Sequence, residues 1–154
     1  MAINLYDHAR VNFALGQINW VADNIKVAVL SPAYVAGLVA TANDLDFSAI
    51  APFILTGVEP IITLINKVTS VGSNVGALSA NPIDFVALDI NQIMGFYVVF
   101  KDPDPTNVNG APALANYATS PLLVLYDTGF GLGAGTNGFD IQVTWHPTEG
   151  MFKL

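Results

Sequence analysis

A chain of 154 residues with no cysteine and a formal charge of −7 has no disulfide framework and no thiolate metal site. Single-site nucleic-acid binding is equally disfavoured, because Arg10 is the only arginine and the four lysines are scattered. Charged residues make up only 11% of the chain, against roughly 25% in ordinary domains. Hydrophobic residues reach 53%, yet no apolar window is long enough for a membrane helix.

This length suits one domain over residues 1–154, which buries roughly 70% of its unfolded surface. The first residues lack the basic-then-apolar layout of a signal peptide. So few charges leave an apolar or amide-rich surface, which implies a partner interface and a subunit of something larger.

In chain order, residues 3–16 are expected to be helical. Leu5, Ala9 and Phe13 recur at helical spacing, Asn4 is a candidate cap, and Gly16 can end the helix. Asp7, His8 and Arg10 form the one dense polar cluster. They read as a solvated helix face rather than an acid/base pair, since no nucleophile or second carboxylate lies near in sequence. The β-core is expected over about 24–154. Ile25–Leu30 alternates as a strand, with Lys26 and Ala28 on the second face. Tyr34–Ala42 is ambiguous between helix and coil. Residues 60–69 read as one strand and Val71–Ala80 as a loop.

Ile83–Ile90 alternates, with Ile83, Phe85 and Ala87 opposite Asp84, Val86 and Leu88. Met94–Phe100 is a nearly continuous apolar run, as in a strand covered on both faces. A long, amide-rich loop follows Pro105, and Leu122–Tyr126 resumes the sheet. From Phe139 to Trp145 the residues alternate again, with Phe139, Ile141, Val143 and Trp145 on the expected buried face. The apolar stretch Met151–Leu154 is expected to tie into a sheet. The fold class is therefore mainly β, a β-sandwich or barrel-like core of about seven strands with an N-terminal α-helix.

Gly133-Ala-Gly135-Thr-Asn-Gly138 matches a dinucleotide fingerprint literally, but a strand follows where that motif needs a helix. The loop reads instead as a glycine-rich hairpin tip. Asp44 with Asp46, and Asp102 with Asp104, suit turn chemistry rather than a calcium loop, because neither pair has a clustered third carboxylate. His8 and His146 are too few for a zinc site without cysteine. Ser31, Ser48, Ser70 and Ser73 sit outside any nucleophile elbow. No catalytic residue, metal ligand or cofactor is expected, and the chain reads as a non-enzyme.

Two end segments carry a resemblance. The first is Asn4-Leu-Tyr-Asp-His-Ala-Arg10, Gly16-Gln-Ile-Asn-Trp20 and Asp23 to Leu30. The second is Ser120 to Asp127, Asn137 to Trp145 and Phe152-Lys-Leu154. Together they resemble small virion structural proteins of tailed bacteriophages, most like capsid decoration (cement) proteins. These segments cover less than half the chain, and roughly 31–93 shows no match. The resemblance implies a protein of the virion capsid surface, assembled in the host cytoplasm. Its partners would be the major capsid protein and neighbouring copies of itself, with no nucleic acid or membrane, as a homo-oligomer or multivalently on the shell.

Alternatives are a tail, connector or fibre-base subunit, or a carbohydrate- or host-surface-binding module using Trp20, Tyr117 or Tyr126. The expected contact residues are Asn107, Asn109 and Tyr117 in one loop, Phe130, Leu132 and Asn137 in the next, and Tyr6 and Arg10 on the helix.

Overall fold

Strand-forming runs rich in Val, Ile, Leu and aromatic side chains pair, among the described residues, into three antiparallel sheets. The computed structural model describes residues 3–34, 46–72, 75–127, 129, 131–145 and 151–153. The central sheet has the order β1-β9-β8-β2-β4. Its strands are β1 (Ile3–Leu5), β2 (Asn24–Leu30), β4 (Ile61–Thr63), β8 (Phe96–Asp102) and β9 (Leu122–Tyr126). A second sheet, β10-β7-β3, joins Ile141–Val143, Ile83–Leu88 and Gly57–Glu59. A third, β11-β6-β5, joins Phe152–Lys153, Val75–Ser79 and Val68–Gly72. The chain is mainly β with a short N-terminal helix, as the alternation predicted.

The central sheet is covered on both faces. On one, Phe85 of β7 stacks on Tyr97 of β8 with ring centroids 5.5 Å apart, which gives a sandwich-like core. Trp145 packs against Tyr126 on that side, and the Tyr126 hydroxyl donates to the Met151 carbonyl at 2.6 Å. On the other face, Tyr34 meets Phe96 and Phe47 meets Phe100. The run Met94–Phe100 is thus buried on both sides, as its composition predicted. Burial pushes the Tyr97 hydroxyl up to about 12.

Several local expectations are corrected. The helix is α1 (Asp7–Ala14), and Ile3–Leu5 is a strand paired with Val124–Tyr126. Asn4 lies in that strand, and Tyr6 takes the N-cap position without a side-chain bond. The free edge of β9 supplies backbone partners that helical spacing cannot reveal. Gly16, with φ of 70°, lies just past the helix as expected.

The single strand expected over 60–69 is two, parted at Asn66, whose φ is 50°. The loop expected at Val71–Ala80 holds most of the β5–β6 hairpin, and Phe152 pairs with Leu78 on its far side. The end of the chain is therefore tied into a sheet as predicted.

In β7 the alternation breaks at Ala87, whose φ is 42°, so that Leu88 turns inward like Ile83 and Phe85. Phe139 is 72% exposed rather than buried, because β10 begins only at Ile141. The glycine-rich segment is not a hairpin tip. It crosses between sheets, since β9 pairs with β1 and β8 while β10 pairs with β7. The segment 35–45, with Asp44, lies outside the described residues, as do Phe130 and His146.

Candidate interaction surface

The loop after β8 is built on a buried ion pair. Lys26 and Asp102 lie diagonally across β2 and β8, with their charged groups 2.8 Å apart and both side chains fully buried. Lys26 Nζ also donates to the Gly110 carbonyl at 3.0 Å. Asp102 accepts from Asn107 Nδ2 at 2.8 Å and from the Asp104 N–H at 3.0 Å. Each charge thus has hydrogen-bond partners, the condition under which a buried pair is tolerated. Asn24 Nδ2 donates to the carbonyls of Asp104 and Asn107 at 2.7 and 2.9 Å. Asn109, at φ of 50°, accepts from the Thr63 N–H at 2.8 Å, and its own N–H donates to Thr63 Oγ1 at 2.9 Å.

Asn107 and Asn109 therefore fasten the loop inward, and their polar groups are largely committed within the chain. What the loop turns outward is apolar: Val108 is 76% and Leu114 80% exposed. Tyr117, partly buried in the 3₁₀-helical turn Leu114–Thr119, packs edge-on to Phe47. Hydrogen bonds from Thr106 hold the Asp104 carboxyl below its usual range. Asp46 caps the turn Phe47–Ala49 by accepting from the Ser48 N–H. Asp46 and Asp104 thus do the turn chemistry expected of them, whereas Asp102 accepts from the Asp104 N–H but is chiefly the buried partner of Lys26, a correction to its assignment as a turn acid.

The second crossing, after β9, is held by backbone. Met94 N–H donates to the Ala134 carbonyl at 3.1 Å, and Gly133 N–H to the Met94 carbonyl at 2.7 Å. Asn91 and Thr136 continue this clip, and Thr136 Oγ1 accepts from the Gln92 N–H at 3.0 Å. Gly131, Gly133 and Gly138 all have φ near +80° to +90°. Leu132 is partly buried beside the clip, and Asn137 is exposed and accepts from the Phe139 N–H.

Of the helix residues, Arg10 is exposed, but Tyr6 is 1% exposed with its hydroxyl 2.9 Å from that of Tyr34. Tyr6 is thus a core residue, which corrects its assignment to the contact surface. Trp20 and Tyr126 are buried as well, so neither presents the exposed ring expected of it.

Two polar groups stand out. Both His8 ring nitrogens are shut off from water, which corrects the solvated face expected of this residue; burial lowers the pKa of the ring, and the Leu122 backbone beside it opposes that shift. Asp127 Oδ1 is shut off likewise. Among the described residues no three His, Asp or Glu side chains group as a metal site. Sequence reasoning placed Asp102 in a turn and missed its pairing with Lys26, and it passed over Asp127. The signal for Lys26 was a lone cation in an otherwise apolar strand core. No protein-family model, curated protein or solved structure matches the chain.

Proposed function

We propose that this chain is a non-enzymatic virion structural protein of a tailed bacteriophage, a decoration protein that binds the major capsid protein and stabilises the shell. The observation that carries the reading is where apolar surface lies. Val108, Leu114 and Phe139 are among the most exposed large apolar side chains of the described residues, and each sits outside the regular strands. Anchored loops that turn apolar groups outward suit a protein partner. The end segments that carry the phage resemblance supply four strands of the central sheet region: β1, β2 and β9 in the sheet itself, and β10 packed beside it.

In this reading each copy clamps adjacent capsid subunits, and repetition over the shell converts modest contacts into avidity. The contacts come from the loops at Val108–Leu114 and Leu132–Phe139 and from Arg10 on α1. The acidic charge keeps the chain from competing for packaged genome. The test is to add purified protein to genome-free shells and measure their resistance to heat. Higher resistance with near-complete surface occupancy is expected. Equal stability with and without the protein overturns the reading, and about a dozen or fewer copies per particle would assign a connector ring instead.

A further inference from the structure

Where the glycine-rich crossing leaves β9, it borders a cavity of about 340 Å³. Its wall includes Pro32, Ile93, Met94, Phe96 and Leu132, and Asp127 is the one charged side chain among the described lining residues. One oxygen of that carboxylate, Oδ1, is shut off from water and has no hydrogen-bond donor among the described residues. A carboxylate solvated on one side only is stabilised by a cation placed beside it.

We propose that this cavity receives a lysine side chain from the surface of a partner protein. Lysine joins an apolar stem to a compact charge, and the cavity joins an apolar wall to one carboxylate. The stem would lie along Met94, Phe96 and Leu132, with the ammonium at Asp127. A guanidinium is matched less well. Its fork reads both oxygens of a carboxylate, and here one oxygen is turned into the protein.

The rim indicates that the lysine belongs to a macromolecule. Ile93, at the lip, is 52% exposed, and Ile90 and Phe139 nearby in sequence to the clip are exposed further. Ile90 lies against Gly138, where an added Cβ would come within 3.1 Å of Ile90 Cγ2. A free amine would leave this apolar rim uncovered, whereas a lysine-bearing apolar surface covers it. The inference stands on the cavity alone and is independent of the shell reading.

The test follows the Met94 methyl group by NMR in the full chain, titrated with n-butylammonium, n-butanol or n-butylguanidinium at constant ionic strength. A saturable shift with n-butylammonium is expected, weakened about tenfold in Asp127→Asn. Ile93→Ser keeps the carboxylate and is expected to weaken binding several-fold, which covers the case in which Asp127→Asn does not fold. Asp84→Asn, exposed on β7 and outside the cavity wall, should change nothing. Equal response to n-butanol, a non-saturating shift, unchanged binding in folded Asp127→Asn, or unchanged binding in Ile93→Ser overturns the proposal. Tighter binding of n-butylguanidinium overturns it in favour of arginine.

Discussion

Two long crossings leave the central sheet, and they are held by opposite means. The crossing from β8 to β9 is fastened by side chains: Lys26, Asp102, Asn24, Asn107 and Asn109 reach across strands distant in sequence. The crossing from β9 to β10 is fastened mainly by its own backbone, laid along residues 91–94, with Thr136 the one buried polar side chain among its described residues. An amide loop that spends its polar groups inward can show only apolar groups outward. A glycine loop that spends backbone groups inward leaves a cavity and a carboxylate beside it. Similar turn-rich sequences thus make two different surfaces.

The sharpest way to break this contrast is at Lys26. Lys26→Met leaves Asp102 buried without its cation and is expected to cost about 3–5 kcal/mol in denaturant unfolding. Adding Asp102→Leu should recover much of that loss, because the uncompensated charge goes with it. Hydrogen exchange should rise at 103–113 in Lys26→Met and stay unchanged along 91–94. Equal loosening of both loops would erase the distinction.

The counterpart in the second crossing is Thr136→Val, which removes the hydroxyl between Gln92 and Asp89. Unsatisfied groups of this kind cost about 1–3 kcal/mol, and the exchange pattern should reverse, with the clip loosened and 103–113 intact. Gly133→Ala is milder. Its added Cβ meets nothing within 4 Å, so only the φ of +88° opposes it. A loss of about 1–2 kcal/mol in thermal or denaturant unfolding is expected from that strain.

The smallest effect is at His8, which belongs to neither loop and serves as the control. Burial lowers its pKa in the folded chain, so the unfolded chain takes up the proton first. Stability from this group is therefore complete above the ordinary histidine value of about 6.5 and declines as pH falls from there toward the lowered folded value. His8→Phe should flatten that part of a stability–pH curve. A slope unchanged in this variant would assign it to other groups.

Much of the fold was legible where local composition left one solution. Met94–Phe100 is a run of aromatic and β-branched residues that suits a covered strand, and Leu122–Tyr126 is a short apolar run between turn residues; both lie buried in the central sheet. The candidate surface was legible only in outline. Its two loops stood out by amides and glycines, but Asn107 and Asn109 could be assigned inward or outward only by knowing that Thr63 and Asp102 lie beneath them. Tyr6 looked like a helix-face residue because spacing alone cannot show that Tyr34 meets it.

By itself the sequence determined the mainly β class, the central strand cores, the end of the helix at Gly16 and the tie of Phe152 into a sheet. These follow from side-chain periodicity and from glycine's access to positive φ, both local properties. Tertiary structure alone decided that Ile3–Leu5 extends a sheet, that Lys26 is buried against Asp102, and that the glycine-rich segment crosses between sheets. Strand partners, buried charges and cavity walls depend on residues dozens of positions away. Their energies exist only once those residues have been brought together.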